Sequence, residues 1–470
     1  MCGIAGVVRF DGLAPSLALL QAQARSLTHR GPDSSGHWTD GPVGLVHTRL
    51  AIVDLSRAGD QPMTSPDGRV TLVYNGELYN TSSLRSALAV SQWRGHSDTE
   101  VLLNTFCEHG PASFELLEGM FAFAVYDAVH GELWLVRDPF GIKPLYYHAN
   151  ERRLVFASEV RPLLLDPETP RAPNMTALRQ HLLLGYAADP LTAFDGIQRL
   201  PAAHALCVQP NGTVRAHRYW DERQLFDLTV LPAYEGLCQS VERQSVSDVP
   251  MGLFLSSGLD SSLIASALAT TGRSAAFAAF NVRLDPDEGR ATDAGRVERR
   301  VAEATASRFA MPFVKVRSDV DAIPSIQAMI ETVEEPIANP SNALIDRVCE
   351  VARAQGTKVL LTGHGGDEVF AGYRRHVWAR YAPIAGRAHL GPLLRMVAAV
   401  SDRSSIRRMA DSLQSGAALH PLVSVSSVGW TLVMQGEVCP TWFPPGMVHG
   451  TVGPLLELLG RWREHTPSSK

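Results

Sequence analysis

Lysine is the residue that this chain most clearly lacks. Among 470 residues with 43 lysines and arginines, the lysines are only Lys143, Lys315, Lys358 and Lys470. The formal net charge is −5, and no basic stripe or lysine cluster is visible. Proteins that bind nucleic acids or anionic membrane surfaces by charge carry such clusters. The composition therefore argues against both kinds of partner.

Cysteine is also sparse, with six residues in the chain. No Cys-x-x-Cys or Cys/His spacing joins them, which disfavours a disulfide framework and a zinc site and fits a reduced, cytoplasmic setting. No apolar run reaches the roughly 18 residues of a membrane helix, and the first residues lack the pattern of a signal peptide. At about 150 residues per domain, the length predicts two or three domains.

One cysteine does lie at a notable position. Removal of Met1 would leave Cys2 with its thiol and a free α-amine on the same residue. An α-amine titrates at about 7.7 to 8.0, so it can take the thiol proton directly or through a water. The alternative is a small buried residue that begins the strand CGIAGVVRF, since free cysteines are usually buried. Both interpretations stay open on this residue alone.

The first half of the chain predicts mostly strands, with polar motifs at their ends. The predicted elements are a helix at 16–29, strands at 43–54 and 70–80, helices at 82–90 and 98–109, and hairpins at 121–138 and 143–159. The motifs are HRGPD, RLAIVD, NGELYN and SDTE. Singly, each residue has a structural explanation: Arg49 as a surface ion pair, Asn75 and Gly76 as a type I′ turn, Asp98 as a helix N-cap.

In this order and spacing, Cys2 and the four motifs resemble the class II glutamine amidotransferase domain. The resemblance covers residues 2–205 and implies an α+β N-terminal-nucleophile sandwich, with two sheets between helical layers. It implies Cys2 as the nucleophile, with Asn75 and the backbone N–H of Gly76 as the oxyanion hole. The residues implied to bind glutamine are Arg49 at its α-carboxylate, Glu77 and Asp98 at its α-ammonium, Asn75 and Gly76, and backbone groups of Leu50, Ala51, Ile52 and Val53. The motif RDPFGIKPLYY would serve packing between domains.

The second half, residues 230–470, alternates helices with the apolar segments GLFLS, AFAAFNVRL, FVKVR and KVLLTG. This alternation predicts an α/β domain with a mostly parallel sheet, whose ligands bind at the carboxyl ends of the strands. One such end is the turn SSGLDSS, which opens a helix. Its small residues and the helix N-terminus favour a bound phosphate, and an ordinary capped helix is the alternative.

This turn resembles the pyrophosphate loop of ATP pyrophosphatases. With EEPIANPS and TGHGGDE, it resembles the synthetase domain of glutamine-dependent asparagine synthetases. The resemblance implies that ATP and Mg²⁺ activate the β-carboxylate of aspartate for amidation by ammonia from the first domain. It implies Asp260 and Asp367 as the Mg²⁺ ligands. The implied ATP contacts are Leu255, Ser256, Ser257, Gly258, Asp260, Ser261, Ser262, Val282, Thr362 and Gly363.

Three features depart from the pattern of that family. Ser257 replaces a usual glycine, and His364 stands where an acid is usual. We also expect the second domain to be shortened at its C-terminus, since two features of the family are missing: a VPFLD-type motif and a lysine that neutralises charge during adenylation. Because a histidine is neutral or cationic near pH 7, the acceptor stays open.

The sequence thus predicts a glutamine-dependent asparagine synthetase. One alternative is a relative that amidates another carboxylate, and another is a truncated chain with glutaminase activity only. Glutamine, aspartate and ATP are the expected small-molecule partners, and a homodimer is left open.

Overall fold

The computed structural model describes residues 1–223, 231–283, 293–317, 322–336 and 341–373. The chain divides into two compact units. The first comprises residues 1–172, 189–334 and 341–363, and the second comprises residues 173–188, 335–340 and 364–470. Part of EEPIANPS and everything from residue 374 onward lie outside the described residues. The proposed domain limits, 2–205 and 230–470, stay predictions.

The first 220 residues form twelve strands and five α-helices in the part described. In chain order these are β1 (Gly3–Arg9), α1 (Leu17–Ser26), β2 (Ser34–Asp40), β3 (Val43–Arg49), β4 (Met63–Thr64), β5 (Val70–Leu78), α2 (Thr81–Ala87), α3 (Asp98–His109), β6 (Gly119–Asp127), β7 (Glu132–Arg137), β8 (Tyr146–Ala149), β9 (Arg153–Ala157), α4 (Val160–Leu164), α5 (Met175–Leu184), β10 (Gln198–Arg199), β11 (His204–Val208) and β12 (Val214–Arg218).

The strands make two antiparallel sheets. One has the order β10-β8-β9-β1-β3-β2 and the other β12-β11-β7-β6-β5-β4. Apolar side chains of both sheets, among them Ile4, Leu45 and Ala124, pack together in one buried cluster. Strands in such a position are buried on both faces, so β1 and β3 are buried along nearly their whole length.

Helices cover the outer faces of the two sheets. Leu20 of α1 and Leu163 of α4 pack against the first sheet, and Leu102 and Phe106 of α3 pack against the second. Helix α3 begins at Asp98 because the side chain of Ser97 accepts a hydrogen bond from the N–H of Glu100. The order helix, sheet, sheet, helix confirms the predicted N-terminal-nucleophile sandwich.

The remaining described residues alternate helices with parallel strands. They form α6 (Ala233–Arg243), β13 (Met251–Phe254), α7 (Leu259–Thr270), β14 (Ala278–Arg283), α8 (Asp293–Arg308), β15 (Phe313–Arg317), α9 (Ala322–Val333), α10 (Ser341–Ala354), β16 (Val359–Leu361) and α11 (Gly366–Val369). The sheet order is β15-β14-β13-β16, and every pairing is parallel. All four predicted apolar strands lie in this sheet, which confirms the α/β prediction.

One predicted strand is shorter than expected. Strand β3 ends at Arg49, and residues 50–54, here called the β3 loop, leave the sheet. The Arg49 guanidinium donates to the carbonyl of Asp54, and Asp54 has a φ of 56°, in the left-handed region that ends a strand. None of the helices in the described ranges is long and apolar enough to cross a membrane.

Candidate active site

The thiol of Cys2 lies against the β3 loop. Its Sγ accepts a hydrogen bond from Leu50 N at 3.4 Å and lies 3.7 Å from Leu50 O. Arg30 Nε donates to the carbonyl of Cys2 at 2.9 Å, which fixes the backbone of Cys2. Burial raises the pKa of the Cys2 thiol, while the N–H of Leu50 and the nearby N-terminal amine act to lower it. The thiol therefore needs a base beside it to react as a thiolate.

The N-terminal amine lies close enough to the Cys2 thiol to affect its pKa. Met1 N donates to Arg30 O at 3.3 Å. Burial lowers the pKa of this amine to about 6, with Cys2 opposing the shift and Arg30 and Lys143 adding to it. An amine with that pKa is neutral at pH 7 and can accept a proton. After removal of Met1, we expect the α-amine of Cys2 to lie in the same surroundings.

Asn75 presents an unused hydrogen-bond donor. It lies inside β5 rather than in a turn, it is 1% exposed, and its Nδ2 has no hydrogen-bond partner among the described residues. Buried amide donors are nearly always paired, so an unpaired one points to a ligand. The next residue must be glycine, because a Cβ at Gly76 would lie 2.5 Å from the Tyr74 ring and 2.6 Å from the carbonyl of Met120.

Two carboxyl groups, Glu77 and Asp98, interact where β5 meets α3. Asp98 is buried, and its Oδ2 accepts hydrogen bonds from Tyr74 Oη at 2.7 Å and Leu78 N at 3.1 Å. Burial raises the pKa of Asp98. Burial, and next the charge of Asp98, raise the pKa of Glu77 to about 9. A cation bound between these acids would favour their charged forms. The N-cap interpretation of Asp98 is wrong, since Ser97 takes that position.

Arg49 is buried and shapes the β3 loop. Its Nη1 donates to Ser56 O and to Asp60 Oδ1, both at 2.8 Å, and its Nη2 donates to Asp54 O. The ion pair expected for Arg49 therefore exists, but on a side chain that is only 7% exposed. Arginine has five N–H donors. Nε and one hydrogen of Nη2 have no partner among the described residues, and two such donors suit a carboxylate.

Two residues of this region were not singled out from the sequence. Tyr74 holds Asp98, as described above. Lys143 is buried, its Nζ lies 3.5 Å from Met1 Sδ, and burial lowers the pKa of its ammonium, with smaller effects from the charges of Cys2 and Glu77. The sequence assigned the motif around Lys143 to packing. The available signal was the rarity of lysine in the chain.

The predicted phosphate turn follows β13 and opens α7. Ser256 N donates to Ser261 Oγ at 3.2 Å, and Gly258 N donates to Ser256 Oγ at 3.0 Å, which closes the turn. Asp260 lies in the first turn of α7, where backbone N–H groups have no acceptor within the helix. The N–H groups of the first turn of α7 thus remain available, as a phosphate site at a helix N-terminus requires.

Gly363 brings a second strand end to the same turn. A Cβ at Gly363 would lie 2.9 Å from the Cβ of Asp260 and 3.0 Å from Ser261 N, so the glycine keeps this approach open. The side chain of Leu255 is fully buried, so only its backbone could contact a nucleotide. The side chain of Val282 is partly buried and packs against the sheet core. These observations fit ATP at this edge.

The metal prediction is not settled by the geometry. Asp367 belongs to the second compact unit, whereas Asp260 belongs to the first. In the part of the chain that the structure describes, no group of three or more His, Cys, Asp or Glu side chains could hold a metal ion. Asp260 and Asp367 as a Mg²⁺ pair therefore stay a prediction.

Sequence comparison places the chain in a family. Residues 1–220 match the family described as glutamine amidotransferase domain, and residues 233–428 match asparagine synthase. A protein of Methanocaldococcus jannaschii named putative asparagine synthetase [glutamine-hydrolyzing] 2 is 30% identical over 404 residues, covering 80% of this chain and 76% of that protein. The chain belongs to the glutamine-hydrolysing asparagine synthetase family.

Two other relatives of this chain carry different names, one an asparagine synthetase and the other an amidase. Asparagine synthetase [glutamine-hydrolyzing] 1 of Bacillus subtilis is 31% identical over 384 residues, and amidase chyE of Penicillium rubens is 31% identical over 410 residues. Each comparison covers 79% of this chain and 59% of the relative, so the chain spans 59% of the length of both.

Proposed function

We propose that this chain hydrolyses glutamine at Cys2 and uses the ammonia to amidate a carboxylate activated by ATP. The unpaired, buried Nδ2 of Asn75 is the observation that carries the first half of this proposal. A donor of that kind costs stability unless a ligand oxygen pairs with it. The oxyanion of a tetrahedral intermediate is such an oxygen.

The steps of glutamine hydrolysis follow from the residues around Cys2. The α-amine of Cys2 takes the thiol proton, and Sγ attacks the side-chain carbonyl carbon of glutamine. Asn75 Nδ2 and the N–H of Gly76 stabilise the oxygen that becomes negative, an effect worth about 100- to 1000-fold in rate per donor. The protonated amine then gives its proton to the leaving ammonia. Water hydrolyses the remaining thioester to glutamate and restores the thiol.

The ends of glutamine fit the charged groups beside Cys2. Its α-ammonium would lie between Glu77 and Asp98, whose raised pKa values reflect burial in the free protein. Its α-carboxylate would take the two unused N–H donors of Arg49, and backbone groups of the β3 loop would line the same pocket. Each end of the amino acid therefore meets an opposite charge.

The second half of the proposal concerns the parallel sheet. The turn at residues 256–262, with Thr362 and Gly363, would bind ATP at the carboxyl ends of β13 and β16. Asp260 and Asp367 would hold Mg²⁺, which would offset the negative charge of the departing pyrophosphate.

Aspartate is the acceptor that we propose first, because of the family to which the chain belongs. His364 and the relative named an amidase favour a different carboxylate as the second candidate.

Pyrophosphate release tests these alternatives directly. The 470-residue chain is incubated with ATP, Mg²⁺ and ammonia, and candidate carboxylates are added one at a time. Pyrophosphate that depends on aspartate supports an asparagine synthetase, and dependence on another carboxylate supports the second candidate. Glutamine hydrolysis without any acceptor-dependent pyrophosphate would leave glutaminase activity alone and contradict the second half of the proposal.

A further inference from the structure

The β3 loop is held by residues far from it in the chain. At its first residue, Leu50 touches the thiol of Cys2. Further along, Asp248 N donates to Ile52 O at 3.0 Å, and Asp54 N donates to Asp248 Oδ2 at 2.7 Å. Asp248 precedes β13, the strand that leads to the phosphate turn. A residue from the nucleotide-binding part of the sequence thus supports a loop of the glutaminase site.

A histidine joins the same contact. His96 Nε2 lies 2.7 Å from Asp248 Oδ2, and His96 N donates to Asp54 Oδ2 at 2.9 Å. Asp54 itself is 2% exposed, so water cannot replace the partner of its N–H or the partner of its carboxylate. His96 is also close in sequence to Asp98, which we assign to the α-ammonium of glutamine. Asp248 therefore contacts both segments that approach the amino-acid substrate.

A second contact comes from the neighbouring strand. Asp33 Oδ2 accepts hydrogen bonds from Ala51 N and from Lys358 Nζ, each at 2.8 Å. Lys358 directly precedes β16, and its N–H donates to Pro250 O at 3.2 Å, which sets it beside the start of β13. The amino ends of β13 and β16 hold the β3 loop, while their carboxyl ends carry the predicted ATP contacts.

We propose that Asp248, assisted by Lys358, is a positioning residue for glutamine hydrolysis, and that it acts by fixing the β3 loop against Cys2 and Arg49. This inference rests on the proposed glutaminase function. A misplacement of about 1 Å in a binding group can cost on the order of 100-fold in rate. Because Asp248 is 41% exposed, we expect a smaller effect from its loss.

The test compares variants of the full-length chain. Asp248→Ala should raise the glutamine KM roughly 10-fold. The KM of Asp248→Asn should lie between those of the parent chain and of Asp248→Ala, because the Asn side-chain oxygen can still accept from Asp54 N. Lys358→Met should raise KM by less, since the bond from Ala51 to Asp33 remains. The matched control is Arg243→Met. It removes another ion pair between the same two parts, Arg243 to Glu118 at 3.0 Å, without touching the β3 loop, so KM should not change.

A second readout does not require glutamine to be the substrate. Leu50 N lowers the pKa of the Cys2 thiol, so a loosened loop should slow alkylation of Cys2 by iodoacetamide at pH 7, followed on the Cys2 peptide by mass spectrometry. Cys2 should therefore be alkylated more slowly in Asp248→Ala than in Arg243→Met. A parent chain without glutaminase activity would refute the proposed function, yet the alkylation rates would still test the loop. Equal KM values and equal alkylation rates for Asp248→Ala, Asp248→Asn and the control would overturn the positioning role.

Discussion

Glutamine binding should release a proton from Glu77. In the free protein, the pKa of Glu77 is raised to about 9 by burial and by the charge of Asp98, so Glu77 is protonated at pH 7. An α-ammonium bound beside it favours the carboxylate and lowers that pKa. If the pKa in the complex falls below about 6, roughly one proton leaves per glutamine at pH 7, and a fall to about 7 gives roughly half a proton.

The sign of the pH dependence follows from the same linkage. Because the ionised form of Glu77 binds the ammonium, glutamine should bind more tightly as pH rises from 6 to 8. The Kd should fall by up to about 10-fold per pH unit in this range. We expect Asp98 to contribute less to this pH dependence. Burial raises its pKa, but the hydrogen bonds from Tyr74 and Leu78 act to lower it.

Isothermal titration calorimetry of the Cys2→Ala variant measures this release without hydrolysis of the ligand. Titrations at pH 7 in phosphate and in Tris differ in buffer ionisation enthalpy, and the dependence of the observed enthalpy on that quantity counts the protons. The control carries Glu77→Gln in addition and should release none. Buffer-independent enthalpies for the Cys2→Ala variant, or proton uptake, would refute the assignment of Glu77 to the ammonium.

Three further substitutions test the site. Cys2→Ala should abolish glutamine hydrolysis and leave ammonia-driven pyrophosphate release intact, and mass spectrometry should find Met1 absent from the active parent; full hydrolysis by a chain that retains Met1 contradicts this mechanism. Asn75→Ala should lower kcat by about 100- to 1000-fold with little change in KM, since the oxyanion forms only after binding. Lys143→Met should move the acidic limb of the kcat/KM profile to higher pH, because a buried ammonium no longer disfavours protonation of the α-amine; a limb that stays in place would exclude this role.

Regular elements with strong local patterns were predictable from the sequence. The four strands of the parallel sheet correspond to four apolar segments, and α3 has the predicted limits, Asp98–His109. The two antiparallel sheets follow from a resemblance carried by Cys2 and four short motifs. Local patterns were sufficient here because burial on both faces of a sheet leaves a continuous apolar run.

The β3 loop could not be predicted, because its conformation depends on distant partners. RLAIVD continues the apolar pattern of β3, and alternation alone extends the strand. Arg49 makes one local bond to the carbonyl of Asp54, but the other bonds that hold the loop come from Asp248 and from Asp33, the latter paired with Lys358. No local pattern encodes a contact across 194 or 325 residues. The structural alternatives for Asn75 and Asp98 were also wrong. Pairing with β6 keeps Asn75 inside a strand, and the adjacent Ser97 takes the N-cap position.

The proposed glutaminase site is organised at a cost in stability to the free protein. The pKa of Glu77 is raised from 4.5 to about 9 in the folded protein. The unfolded chain therefore loses this proton first, and Glu77 lowers the stability of the fold increasingly as pH rises between these two values. The unpaired donor of Asn75 adds a second unfavourable term. Both terms are unfavourable in the free protein, and a ligand with an ammonium and a developing oxyanion would reverse them.

Because these groups gain their partners only when substrate arrives, the loop beside them must be held by something other than substrate. Asp248 and Lys358 provide that support from the amino ends of the strands whose opposite ends carry the predicted ATP contacts, which connects the two halves of the proposed reaction through β13 and β16.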